Sequence, residues 1–364
     1  MSVLDRTPPN TPRTPQNTPN TSSSAPAFAA YRRQRASRAV LVSLVLAAVA
    51  LALFVTTLCV GSGGVPPLDA IRSALHLGAD PSTDFIVREL RLPRATTSLL
   101  VGLALGVSGA VFQRLLGNPL ASPDILGVSS GAGTAAVAGL VLWNLAGVGV
   151  AGLALAGALA TALAIYALAW RSGLSGYRFI LVGIGVAAFL TSVTSYLVSK
   201  AEITDARAAM LWLTGSSGLA GPAQLWALGV GLVVTLPIAH ALGRRLVVLE
   251  LGDDAAAGLG VGVERDRRAL MLVAVVLVAL ATAAAGPIAF VALMAGPIAR
   301  RLLRGAGTGL AGAAAVGAIL MLAADLVGQH ALPATLPTGV VTGLVGAPYL
   351  VWLLISANRS GAGG

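Results

Sequence analysis

Asp325 is the one acidic residue inside the late apolar stretch GAILMLAADLVGQH, and Arg91 and Arg94 open the run RLPRATTSLLVGLALGVSGAVFQRLLGNPLASPDILGVSSGAG from 91 to 133. A carboxylate in an apolar run of membrane length supports two chemistries: a proton or ion path, or a hydrogen-bonded structural role at a helix end. No second carboxylate in the apolar runs offers a relay, so the structural role is favoured and a proton-coupled secondary transporter stands as the alternative. Arg91 and Arg94 either anchor the following helix by snorkelling at a membrane boundary or recognise an acidic partner. Ser108, Ser129 and Ser130 lie in glycine-rich segments without an adjacent histidine and acidic orienter, which argues against a hydrolytic triad. His76, His240 and His330 are scattered and Cys59 is the single cysteine, so no metal motif or disulfide framework is legible. Gly147, Gly149 and Gly152 satisfy GxGxxG, but in a membrane-apolar setting without a strand-to-helix turn. A GxxxxGK[ST] loop is absent from the sequence. Any ATP and Mg2+ consumed on behalf of this chain must therefore be bound by another polypeptide, and no cofactor is expected on the chain itself.

The elements that must position these residues are membrane helices. Hydrophobic residues make up 56% and charged residues 10% of 364 positions, with a mean hydropathy of +0.85. That surplus exceeds what one water-soluble core can hide, so much of it must face lipid. The net charge of +10 is not a nucleic-acid footprint. Arg6, Arg13, Arg32, Arg33, Arg35 and Arg38 precede the first apolar run, and much of the remainder lies in short loops between later runs. Residues 1–38 read as a disordered, Thr/Pro-rich tail, and 39–358 as a transmembrane domain.

The expected fold is all-α and polytopic, with about ten transmembrane helices: 39–61, 95–115, 124–145, 149–170, 178–198, 222–242, 268–286, 288–303, 307–327 and 338–357. Gly286, Pro287, Gly296 and Pro297 interrupt the region of the seventh and eighth. Ten spans put both termini on one side, together with the arginines before the first span, Arg171 and Arg178, Arg244 through Arg268, and Arg300, Arg301 and Arg304. By the positive-inside rule that side is the cytoplasm of a cell inner or plasma membrane. The opposite side receives 62–94, the 199–221 connection and the residues after Asp325. In the first of these His76, Asp80, Asp84, Arg88, Glu89, Arg91 and Arg94 form either a recognition surface or a set of interfacial anchors.

Glycine and alanine crowd the spans, and small residues allow close helix contact in lipid, as in a tight bundle. GVSGAVFQRLLGNPLASPDILG is echoed by AGPIAFVALMAGPIARRLLRG, each with a proline-bearing break and arginines, as expected of interrupted-helix repeats in a transporter. The break at Asn118-Pro119 lies in the first of these. Between the sixth and seventh spans, LELGDDAAAGLGVGVERDRR is either a solvated loop or a short cytoplasmic helix with a partner. Gly252 and Gly260 permit turns at its ends, and Asp253 and Asp254 open it.

Several ordered motifs then carry a family resemblance: RLPR at 91–94, GVSGAVFQ at 106–113, NPLASPDILGVSSGAG at 118–133, WLTGS at 212–216, LGDDAAAGLG at 251–260 and LPTGVVTGLVGAPYLVWLL at 336–354. Together they span about 40–358, and the chain resembles the FecCD-like permeases of importers for iron-siderophores, heme and vitamin B12. The resemblance implies a non-catalytic subunit of a binding-protein-dependent type II ABC importer. In such importers two ten-helix permeases, identical or paralogous, enclose a central pathway. A cytoplasmic ABC ATPase dimer drives alternating access, and an extracytoplasmic substrate-binding protein delivers the cargo. A ferric siderophore is the expected cargo, with heme or vitamin B12 as alternatives. Arg91 and Arg94 correspond to the family's docking residues, and Leu251, Gly252, Asp253, Asp254, Leu259 and Gly260 to its ATPase-coupling segment. Gly106, Ser108, Gly109, Gln113, Asn118 and Pro119 fall in pathway or packing motifs. Two departures stand out. The arginine of a late DxxxR pattern is Gln329 here, after Asp325, and the family's Pro-His pair in GLxxPHxxR is Gly296-Pro297, so no role of that histidine transfers.

Overall fold

The computed structural model describes residues 24–361, apart from 62–63, 79, 125–126, 171–175, 305–308 and 332. Residues 1–23 of the expected tail and Arg171 lie outside the described residues. Lipid offers no hydrogen bonds to backbone amides and carbonyls, so the apolar runs fold as helices that satisfy their own. In chain order these are α1 Ser24–Cys59, α2 Pro67–Ala74, α3 Pro81–Asp84, α4 Leu92–Leu115, α5 Val128–Trp143, α6 Val148–Ala169 and α7 Gly176–Lys200. They continue as α8 Ile203–Thr214, α9 Pro222–Leu249, α10 Asp253–Gly258, α11 Val263–Ala285, α12 Val291–Leu303, α13 Leu310–His330 and α14 Thr338–Gly361. A π-helical segment, Phe85–Arg91, joins α3 to α4, and a 3-10 turn, Ser217–Leu219, joins α8 to α9.

Among the described residues eight helices are long and apolar enough to cross a membrane. The 16-residue α5 and 13-residue α12 complete the ten expected spans. At 1.5 Å per residue α12 is only about 20 Å long against a hydrocarbon core of about 30 Å, so it is an interrupted span. One expectation needs correction. The first helix reaches back to Ser24, so 24–38 is not a disordered tail; YRRQRASR is rich in good helix formers and extends the membrane helix beyond its apolar part. The 199–221 connection contains α8.

At the centre of the bundle are α4 and α11, in whose most apolar windows 78% and 67% of residues are buried, against 11% for α1 and 6% for α7. Small residues explain why α4 is central. A Cβ on Gly106 would collide with the Ala313 carbonyl of α13, and one on Gly109 with the Ala292 carbonyl of α12. Gly317 of α13 meets Gly102 in the same way. Backbones this close gain van der Waals contact that lipid cannot supply. Polar side chains join the same seam: Ser108 Oγ donates to the Ala274 carbonyl at 2.8 Å, and Gln113 Nε2 to the Leu293 carbonyl at 2.9 Å. The two echoing segments thus pack on each other. Gly296 lies in the same seam, where a Cβ would meet Gln113 Oε1.

The helix breaks have local causes. After α4, Asn118 N–H donates to the Gln113 carbonyl and Asn118 Oδ1 accepts from Leu120 N–H at 2.9 Å, a side-chain turn that ends the helix ahead of Pro119. Between α11 and α12, Gly286 at φ 72° and Phe290 at φ 67° reverse the backbone on either side of Pro287.

Gly109→Val is expected to cost about 1–3 kcal/mol, as overpacking typically does. It should lower the thermal midpoint in detergent by several degrees. Gly152→Ala, whose added Cβ meets nothing within 4 Å, should leave it unchanged.

Candidate functional site

The residues singled out by sequence gather at the two ends of the bundle and along the central seam. At one end, the start of α4 meets the end of α13. Arg94 Nε lies 3.0 and 3.2 Å from the two carboxylate oxygens of Asp325, and Arg94 Nη2 3.0 Å from Oδ1. Asp325 is 1% exposed and fully partnered: Gln329 Nε2 donates to Oδ2 at 2.6 Å, and Thr338 Oγ1, at the start of α14, to Oδ1 at 2.8 Å. A buried carboxylate is tolerable only when paired and hydrogen-bonded in this way. Arg91 turns the other way and donates to the Leu58 carbonyl at 2.8 Å, closing the end of α1. Both expected docking arginines therefore already hold partners within the chain. They border a cavity of about 400 Å³, also lined by Glu89, Ser217, Asp325, Gln329 and His330.

A second cavity, of about 510 Å³, opens between α5, α7, α8 and the start of α14. Its wall is rich in hydroxyls, from Ser129, Ser130, Thr191, Thr194, Ser195 and Thr214, with the single carboxylate of Asp124. Ser129 Oγ donates to Asp124 Oδ1 at 2.7 Å, and the Thr134 and Thr194 hydroxyls lie 2.8 Å apart, tying α5 to α7. Sequence reasoning missed this cleft: its residues come from five separate segments, and a serine or threonine in a membrane helix usually bonds only its own preceding turn.

At the far end, α10 stands out from the bundle. Gly252 at φ 97° and Gly260 at φ 81° turn the chain on either side of it. Ala256 is fully buried, while Leu251 and Leu259 are 63% and 65% exposed. Asp253 pairs with Arg267 at 2.6 Å, Asp254 is exposed, and Arg114 Nη2 holds Glu250 at 2.8 Å, fixing the end of α4 to the end of α9. Among the described residues no group of three or more His, Cys, Asp or Glu side chains could hold a metal ion.

The FecCD transport family aligns with residues 33–356. The chain belongs to the FecCD transport family. This FecCD protein is a multi-pass membrane protein and a non-catalytic permease subunit of an ABC transporter. It is 43% identical over 79% of its length to the ferric enterobactin transport system permease protein of Escherichia coli K12, covering 87% of that relative. It is 41% identical over 85% of its length to the achromobactin transport system permease protein of Dickeya dadantii, covering 89%. The vitamin B12 import system permease protein of Salmonella paratyphi A is 34% identical over 90% of the chain and 99% of its own length. Among solved structures, an inward-facing conformation of a metal-chelate type ABC transporter superposes with a TM-score of 0.77 at 26% identity. That match covers 86% of this chain and 98% of the other.

Removing Arg94 from this FecCD permease strands a buried carboxylate. Arg94→Ala is expected to lower stability by about 3–5 kcal/mol, toward the lower end because the arginine keeps 28% side-chain exposure. Replacing both partners, Arg94→Met with Asp325→Leu, should recover most of the loss in a thermal unfolding series. Equal loss in both would show that the ion pair is not the stabilising unit.

Proposed function

We propose that this permease carries a ferric siderophore inward as part of a binding-protein-dependent ABC importer. The observation that carries the cargo is the 43% identity to a ferric enterobactin permease across 79% of the chain, with an achromobactin permease at 41% and a vitamin B12 permease at 34%. The hydroxyl-lined cleft beside α7 supports this reading, since dispersed hydroxyl donors can contact an oxygen-rich chelate without fixing it tightly. A pathway must release its cargo as readily as it admits it.

The α10 end faces the cytoplasm in this reading, with both termini, because Arg244, Arg245, Arg265, Arg267, Arg268, Arg300 and Arg301 lie there. Exposed Leu251 and Leu259 flank α10 as apolar anchors for a separate ATPase, with Asp253 and Asp254 supplying the polar rim. The Arg94–Asp325 end faces outward and receives the binding protein, with Arg91 and Arg94 as its cations. Gln329 replaces a cation and instead donates to Asp325, so electrostatic steering of docking is weaker than a third arginine would give. The exposed α7 face meets a second permease, identical or paralogous, across the pathway.

Proteoliposomes containing this chain, its partner permease, ATPase and binding protein should accumulate radioiron from a ferric siderophore only with ATP. Accumulation of heme or a corrinoid instead, with no siderophore uptake, would reassign the cargo. Leu251→Asp with Leu259→Asp should reduce recovery of the ATPase with purified permease at least tenfold while the thermal midpoint of the isolated chain stays put. Undiminished recovery would remove α10 from the coupling role. Arg91→Gln should weaken binding-protein docking in lipid discs, and unchanged affinity would remove it from the docking surface.

A further inference from the structure

One short turn separates the two cavities. Residues 214–218, between α8 and α9, give Thr214 to the wall of the hydroxyl-lined cleft and Ser217 and Gly218 to the wall of the Arg94–Asp325 cavity. The same turn is bonded to the start of α14 from both sides. Gly339 N–H donates to the Gly215 carbonyl at 3.0 Å, Ser217 N–H donates to Thr338 Oγ1 at 3.3 Å, and Thr338 Oγ1 donates onward to Asp325 at 2.8 Å. Ser98 of α4 donates to Ser217 Oγ at 2.7 Å. These side chains are buried: Ser98 and Thr338 are 0% exposed, and Ser217 and Asp325 1%. The residues next to Thr338, Gly339 and Val340, line the cleft. The turn also grips the break between α11 and α12, through Ser216 N–H on the Ala285 carbonyl at 2.8 Å and through Gly215, which has no room for a Cβ beside the Pro287 carbonyl. Pro287 and Ala289 line the cleft as well.

We propose that Ser217 and Thr338 are positioning residues that link the pairing of Arg94 with Asp325 to the width of the hydroxyl-lined cleft. A buried hydrogen-bonded chain has few alternative arrangements, because each unpartnered member costs the desolvation of its polar group. When Arg94 is drawn from Asp325 toward an outside carboxylate, Asp325 is left to Gln329 and Thr338. Thr338 shifts with it, and the start of α14 and the 214–218 turn move as one wall of the cleft. An acidic partner docking on Arg94 thereby changes the cleft without touching it. The role of the cleft as the cargo path rests on the function proposed above, but the coupling is a property of the chain alone.

The test therefore needs no partner protein. In a Cys59→Ala background, Val340→Cys reports the cleft and Val148→Cys, on α6, reports an exposed site outside both cavities. Rates of labelling by a membrane-impermeant maleimide are measured in lipid discs. Asp325→Asn, Ser217→Ala and Thr338→Val are each expected to change the rate at position 340 at least fivefold and leave position 148 within twofold. Combining Asp325→Asn with Thr338→Val should add nothing to the larger single effect. Equal changes at both reporters would mean general loosening and overturn the proposal, as would an unchanged rate at 340 or additive effects in the double variant. If Asp325→Asn does not fold, Thr338→Val decides, since it preserves shape and the ion pair while removing the link. Failure of siderophore uptake with a positive labelling result would count against the proposed cargo and not against the coupling.

Discussion

The close approach of backbones along α4 is the constraint on which the other features depend. Between apolar helices in lipid there is little hydrophobic drive, so association depends on van der Waals contact and on the few polar bonds that can be made across the seam. Gly102, Gly106 and Gly109 bring α4 against α12 and α13 with no side chain between them. Once the backbones are this near, Ser108 and Gln113 reach carbonyls on α11 and α12 that a wider spacing would put out of range. The centrality of α4 also carries its first turn into the bundle, and so Arg94 onto Asp325.

The breaks in the helices serve the same geometry. A straight helix through 286–290 would carry the chain past α4, whereas the reversal at Gly286 and Phe290 turns the short α12 back along it. The 214–218 turn fills the space that this break leaves, packing Gly215 on Pro287 and Gly339 on the Thr214 carbonyl. Irregular backbone at membrane depth is tolerated only where protein satisfies it or where it lines a cavity, and here both conditions hold.

The two ends of the bundle differ in how they hold charge. At the Arg94 end a buried carboxylate takes hydrogen bonds from three side chains and is closed off by α13 and α14. At the α10 end the ion pairs, Arg114 with Glu250, Arg245 with Asp266 and Arg267 with Asp253, have at least one exposed partner each. Asp253, the member of these pairs that α10 itself supplies, is 59% exposed, and such a pair contributes little stability, so α10 can present its apolar and acidic residues to another protein at little cost to the bundle.

The positions of the apolar runs were legible in the sequence, and a short helix between Gly252 and Gly260 was one of two readings open there, because hydropathy over a membrane length and glycine at turns are local signals. So was family membership, carried by motifs that keep their order along the chain. The helical continuation back to Ser24 was obscured by a polar, arginine-rich composition that suits a tail as well as a helix, and α8 by its short length in a connection of mixed polarity. Asp325 stood out as a lone carboxylate, but its partner Arg94 lies 231 residues away, and nothing in either local sequence names the other. Ser98, Ser217 and Thr338 gave no signal at all, since hydroxyl residues in apolar helices ordinarily bond within their own turn. The sequence by itself determined that this chain crosses a membrane as a tight, interrupted bundle. Only the tertiary structure decided which polar groups meet inside it, because pairing across helices depends on rotation and depth, which small-residue packing sets and hydropathy does not record.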